Sequence, residues 1–262
     1  MKFPKENELN KGVITDPFIF FIIFLSIYYN YKFNIRSEYT LKSKFNTDNK
    51  HTMYFNKFGE EVPSATTILK ILNKPQLVKW ANYLGFNHLH VDSVLNEAST
   101  LGTIVHDLIN SILLNHYIIY INDGRVPIDI LCSYINRFKI WLKTNTVIPI
   151  LLEKSISSDK FGGTLDFYGI INDKYTILDF KTSKKIRISM FFQLALYTIL
   201  LEELGYKVDQ VGILLVNPKY KDEKYIQRDK LQPYIDFVSK LVDIFHSYYE
   251  INNDDNWKEP IN

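Results

Sequence analysis

Near residue 146 the spacing of apolar residues changes, and this change restricts the fold more than any other feature of the chain. Upstream, Val94–Tyr120 and Ile128–Thr144 carry apolar residues at helical spacing, the first around His106. Downstream come Ile148–Ile156, Gly163–Ile171 and Tyr175–Phe180, three short runs rich in β-branched and aromatic residues. Asn172-Asp173 supplies a tight hairpin turn between the last two. The helical spacing then returns over Ile188–Leu204, closed by Gly205. Gln210–Val216 (QVGILLV) reads as a buried strand and Leu231–Tyr249 as an amphipathic helix. Helix, helix, three strands, helix, strand, helix is the order of a three-layer α/β/α sandwich around a mixed central sheet. Ahead of it, Tyr54–Phe58 reads as a short strand and Gly59 as a turn. Ser64 stands as N-cap of ATTILKIL, and Leu77–Leu84 forms a second short helix.

The first fifty residues have a different texture. Phe18–Tyr29 (FIFFIIFLSIYY) is almost wholly apolar, but it falls short of the roughly 18 residues that a membrane span needs. Glu6, Glu8 and Asp16 offset the lysines before it, and no small-residue cleavage site follows, which argues against a secretory signal. An added helix or a leader is expected, with no stable membrane association. The chain divides into an extension, 1–52, and a folded region, 53–262. With 46% hydrophobic and 23% charged residues, the composition is that of a folded protein. A formal net charge of +2 means that any nucleic-acid surface must be a local patch. The one cysteine, Cys132, excludes an intramolecular disulfide framework and an iron–sulfur cluster held by four cysteines of this chain. Lying among Ile130, Leu131 and Tyr134, it reads as a buried thiol, and a reducing, cytoplasmic setting follows.

Four features carry the chemistry. Gly102 precedes His106 by four positions, so on a helix it removes bulk one turn before an imidazole. Asp166 ends the run Gly162-Gly163-Thr164-Leu165-Asp166 in the first half of a strand. Asp179 and Lys181, in Ile177-Leu178-Asp179-Phe180-Lys181, project from one face of a strand while Leu178 and Phe180 point to the other. Two charges on a strand with apolar flanks need a reason to be there, and a metal ion supplies one. Gln193 and Tyr197 share a face of an otherwise apolar helix. Each feature alone is commonplace: a lone helical histidine is usually structural, and Asp-x-Lys arises often by chance.

Together the series GxxxH, an isolated Glu153, GxxD, DxK thirteen positions later and QxxxY resembles the RecB-like branch of the PD-(D/E)xK nucleases. PSATTILKIL and LVKWANYLGF look like the start of phage-type exonucleases in that branch and are similar to the mitochondrial genome maintenance exonuclease. The resemblance spans about residues 53–220 and departs from the family name at one point, since Leu165 precedes Asp166. It implies a restriction-endonuclease-like sandwich and a metal-dependent DNA exonuclease. His106, Asp166 and Asp179 would hold one or two Mg²⁺ or Mn²⁺ ions, helped by the Phe180 backbone carbonyl. Lys181 would orient or deprotonate the attacking water. Glu153 would reach a second metal or steady the lysine, and Gln193 and Tyr197 would line the site. Oxygen-rich ligation with one imidazole suits these two metals.

For DNA, Thr182, Ser183, Lys184, Lys185 and Arg187 follow the Asp-x-Lys strand and can reach phosphates, with a solvated helix start as the plain alternative. Lys79 and Trp80 could add a charge and a stacking surface, although core packing is the favoured account of Trp80. The expected partner is single- or double-stranded DNA with free ends, alongside a recombination or replication protein. Recombination, replication and repair are the pathways implied. A catalytically silent DNA-binding or scaffold member of the same fold is the competing reading.

Overall fold

The computed structural model describes residues 39–40, 52–72, 75–115, 117–118 and 125–252. The apolar run Phe18–Tyr29 lies outside them. The elements are β1 (Tyr39–Thr40), β2 (Tyr54–Phe55), β3 (Glu61–Val62), α1 (Ala65–Ile68), α2 (Pro75–Phe86), α3 (Val91–Leu113) and β4 (Tyr117–Ile118). They continue with α4 (Ile128–Thr144), β5 (Val147–Ser157), β6 (Gly162–Ile171), β7 (Lys174–Lys181), α5 (Ile188–Glu203), β8 (Gln210–Leu215), β9 (Glu223–Gln227) and α6 (Arg228–Asn252).

Five strands form the central sheet in the order β5-β6-β7-β8-β9. Only β7 and β8 are parallel, as the long α5 crossover between them requires; the other neighbours are antiparallel. Strand alternation, broken in β6 between Leu165 and Phe167, sends side chains to two separate apolar clusters. On one face Leu165, Ile177, Val211, Ile213 and Leu215 pack with α1, α5 and α6. On the other Phe167, Leu178, Phe180, Leu214 and Val216 pack with α3 and α4. The result is the expected three-layer α/β/α sandwich around a mixed sheet.

Local chemistry explains the boundaries. The Ser64 side chain accepts from Thr67 N at 3.0 Å and starts α1, which tightens into a 3₁₀ turn over Leu69–Ile71. Asn172 and Asp173 both adopt positive φ (47° and 65°), the conformation a two-residue hairpin twist requires. Gly205 at φ 82° ends α5, and Tyr206 N returns to Leu201 O at 2.9 Å.

Three expectations change, and one strand is new. The helix around His106 does not run to Tyr120: α3 stops at Leu113, Leu114 N caps the Asn110 and Ile112 carbonyls, and residues 117–118 pair in parallel with 39–40. The first strand is shorter than Tyr54–Phe58, because the Asn56 carboxamide oxygen accepts from Phe58 N and Glu60 N and turns the chain into a β2–β3 hairpin. The unexpected β9 (EKYIQ) is an edge strand with exposed charges at its start, so it lacks an apolar alternation. Cys132 is half-buried rather than fully enclosed, because α4 turns its other face, with Leu131, Tyr134, Phe138 and Trp141, to the sheet.

Candidate active site

The site forms where β5, β6 and β7 meet the C-terminal half of α3. The β6–β7 ladder runs only as far as Phe167 opposite Leu178. Beyond it the Asp166 carboxylate replaces the backbone partner, and Oδ2 accepts from Phe180 N at 2.9 Å. The other Asp166 oxygen, Oδ1, lies 3.5 Å from His106 Nδ1. The His106 Nε2 hydrogen is donated to Phe180 O at 2.9 Å, and because a carbonyl only accepts, this bond orients the ring. Nδ1 is thereby turned toward the carboxylates.

Glu153 arrives from β5 by an unusual backbone. It lies between the register pairs Leu152–Phe167 and Lys154–Leu165, yet its φ is 44°, in the left-handed region that a strand residue ordinarily avoids. Such a conformation costs about 1–3 kcal/mol and collects at functional sites. Glu153 Oε1 stands 3.8 Å from His106 Nδ1. One ligand atom from each of His106, Glu153 and Asp166 falls within 4.8 Å of the others. His106 and Glu153 also line a cavity of about 260 Å³, together with Gly102, Thr103 and Asp107.

Asp179 is not one of that triad. It is 2% exposed, and its carboxylate is held by Lys181, whose Nζ lies 2.8 Å from Oδ1 and 2.7 Å from Oδ2. The Oδ2 atom is fully buried and receives no well-angled hydrogen bond, so a buried anionic oxygen is left under-satisfied. Its strand neighbours Leu178 and Phe180 fill the opposite core, as alternation requires.

The charges act on one another strongly. Burial alone would depress the His106 pKa, but the Asp166 charge and the bonds to Asp166 and Glu153 outweigh it and raise it to about 10. Burial would lift Asp166, yet the facing imidazolium, Lys181 and the Phe180 N–H hold it below the usual carboxylate range. Asp179 goes up, chiefly through burial, against the pull of Lys181 and with a push from Asp166. Lys181 also goes up, because Asp179 and Asp166 overcome its desolvation. Three carboxylates thus face two cations. Hard oxygens beside one imidazole fit a divalent cation of the Mg²⁺ or Mn²⁺ class.

Gln193 and Tyr197 lie on α5, which covers the Asp179 face. Gln193 Nε2 donates to Tyr197 OH at 2.8 Å, and burial pushes the phenol's pKa up. Thr182 and Ser183 are half-buried just past β7, while Lys184, Lys185 and Arg187 are exposed on the loop that follows. Lys79 is exposed and Trp80 half-buried on α2, which packs against α3. The Phe180 carbonyl, expected beside the metal, is engaged by His106.

Sequence reading missed Tyr54, whose hydroxyl bonds Thr164 Oγ1 at 2.9 Å, with Ser155 Oγ a further 2.7 Å from the same atom. A contact between residues 110 positions apart leaves no local pattern.

No protein-family model matches the chain, and no curated protein matches it. Among solved structures it is similar to SSO0001, at TM-score 0.35 and 12% identity over 88% of each chain. It is also similar to LHK-Exo in complex with dAMP, at TM-score 0.32 and 16% identity, covering 58% of this chain and 80% of that one. A phage-related exonuclease from Haemophilus somnus 129PT follows at TM-score 0.30 and 14% identity, covering 71% and 96%. Likeness at these values carries no functional argument, so function is argued from the site itself.

Proposed function

We propose that this protein is a metal-dependent deoxyribonuclease of the RecB-like PD-(D/E)xK type, acting as an exonuclease on free DNA ends. The observation that carries this reading is the convergence of His106, Glu153 and Asp166 on the end of the strand that bears Asp179 and Lys181. Five ionisable groups from four separate elements gather within an apolar sandwich, an arrangement that structural ion pairs seldom need.

His106 Nδ1 and the Glu153 and Asp166 carboxylates would hold the cation, with Asp179 behind them. When bound, a divalent metal supplies Lewis-acid polarisation of the phosphoryl group and acidifies water. The chain's own residues do the rest. Phe180 O fixes the His106 ring, so that binding does not wait on its reorientation. Asp179 holds the Lys181 ammonium in place. Because its pKa is raised, Lys181 stays protonated at neutral pH. Held there, it would donate to a phosphate oxygen and offset charge built up on it. Tyr197 and Gln193 form a hydrogen-bonded wall toward α5 that keeps bulk water from that side. Residues 53–262 would carry this activity in DNA recombination, replication or repair, within the cytoplasm. Among the described residues no helix is long and apolar enough to cross a membrane.

End-labelled linear single- and double-stranded DNA, incubated with Mg²⁺, Mn²⁺ or EDTA, tests the proposal. Metal-dependent shortening is expected, reduced about 10²–10³-fold by Lys181→Ala and abolished by Asp166→Ala. DNA binding without cutting under every metal would favour a silent scaffold of the same fold.

A further inference from the structure

The loop between β8 and β9, residues 216–222, leaves the sheet at the same end as the candidate site. β7 and β8 are parallel with Lys181 opposite Leu215, and Val216 N donates to Lys181 O at 3.0 Å. The two strands therefore finish side by side. The next residue, Asn217, is 7% exposed, and its amide is bonded at both ends. Nδ2 donates to Thr182 O at 2.9 Å and to Tyr134 OH at 3.2 Å. Oδ1 accepts from Lys219 N at 3.0 Å and from Tyr220 N at 3.3 Å. A single buried side chain thus fastens this loop to the segment that follows the Asp-x-Lys strand.

What the loop presents is cationic and aromatic. Lys219 and Lys221 are exposed, and Tyr220 is 43% exposed. One strand away stand Lys184, Lys185 and Arg187. At the end of the loop the exposed Asp222 adds one carboxylate against the two lysines, while the Glu223 carboxylate, at the start of β9, is held by Trp141 Nε1 at 2.8 Å. In open α/β sheets ligands gather at the carboxyl ends of neighbouring parallel strands, and β7 and β8 are the parallel pair here. A solvated lysine run has no need of a buried amide to fix its backbone; a surface that must keep register with a site does.

We propose that the Asn217–Lys221 loop is a second backbone-gripping element for DNA, with Lys219 and Lys221 on phosphates and Tyr220 against a base or sugar. Adjacent strands lie about 4.8 Å apart, so the loop meets the polynucleotide about one or two nucleotides from the cleavage position, at about 3.4 Å per nucleotide. Asn217 keeps that spacing by tying the loop to Thr182. The assignment rests on the nuclease reading above.

The test is the salt dependence of binding to labelled single-stranded and duplex oligonucleotides, followed by fluorescence anisotropy with EDTA present. The Lys219→Gln/Lys221→Gln double variant should lower the slope of log affinity against log salt by about 1.4–1.8, two phosphate contacts' worth. Tyr220→Ala should weaken single-strand binding about fivefold or more. Lys143 and Lys174 stand at the opposite end of the sheet, and Lys143→Gln/Lys174→Gln should leave the slope unchanged. Wild-type binding with an unaltered slope in the Lys219/Lys221 variant, or an equal fall in the control, overturns the loop assignment alone. Wild-type protein that binds no DNA overturns the nuclease reading and the loop with it.

Discussion

A Cβ built on Gly163 collides with the ring of Tyr197, which is buried and bonded to Gln193 and so has nowhere to swing. Gly163→Ala is therefore expected to cost about 1–3 kcal/mol by overpacking, read as a fall in the urea midpoint. Gly102 is the contrasting case. A Cβ there meets only Thr182 Oγ1 at 3.9 Å, an ordinary contact, and the helix interior should gain about 0.5–1 kcal/mol from Gly102→Ala. A lower midpoint in Gly102→Ala would contradict this. His106 and Asp166 set the response to pH. The folded pKa of His106 is raised to about 10, so its contribution is complete below about pH 6.5 and fades as pH climbs through about 10. The folded value of Asp166 is depressed, so its contribution is present above the ordinary carboxylate range and fades as pH falls through the depressed value. Metal-free protein should thus lose stability on the alkaline side, and His106→Gln should flatten the decline. Equilibrium urea unfolding at a series of pH values checks it; equal slopes in the two proteins would rule out the His106–Asp166 pairing. A metal bound as proposed would displace the His106 proton, so Mn²⁺ uptake near pH 7 should release about one proton, measurable by calorimetry in buffers of different ionisation heat.

The site residues come from elements that depart from regularity where they contribute. β5 turns through a left-handed residue at Glu153, and the β6–β7 ladder gives way to the Asp166 carboxylate. Each departure accompanies an acid that faces His106 on α3. The loop after β8 follows the same logic through Asn217. Asn217→Ala removes its donors and acceptor from a buried position and should cost about 1–3 kcal/mol. It should also raise KM for DNA more than it lowers kcat, because no reacting group is touched. An unchanged KM would separate the loop from DNA binding.

Across the whole molecule, two apolar clusters grip the sheet from either side, and the N-terminal hairpin closes one end of it. The Tyr54 ring lies against Gly162, where a Cβ would come within 2.5 Å of it, and Gly162 N donates to Pro63 O at 2.9 Å. Ser157 Oγ donates to Phe55 O at 2.6 Å. A chain that begins at Met53 keeps all of these contacts and is expected to fold and cut. One that begins at Pro63 loses Tyr54 and the buried Val62, and should be less stable by about 3 kcal/mol. Thermal unfolding of both shortened chains, with cleavage assays, decides whether the functional unit starts at residue 53.

Period and punctuation alone determined the layers of this protein. Helical spacing up to Thr144, two-residue alternation over the strands and helical spacing again leave few arrangements, and the turn residues at 172–173 and 205 mark the boundaries. Those signals are local, and so a single sequence carries them. Asp179 and Lys181 share their legibility, because charges on an apolar strand stand out within five residues. Tertiary structure alone decided which acids face His106. Glu153 and Asp166 do so, while Asp179 is taken up by Lys181. That choice depends on a positive φ in β5 and on where the β6–β7 ladder ends, neither of which has a residue signature. The edge strand β9 and the Asn217 tie were hidden for a related reason. Charged edge residues break the alternation that reveals a strand, and a buried amide bridging positions 134, 182 and 217 is visible only once the chain has folded.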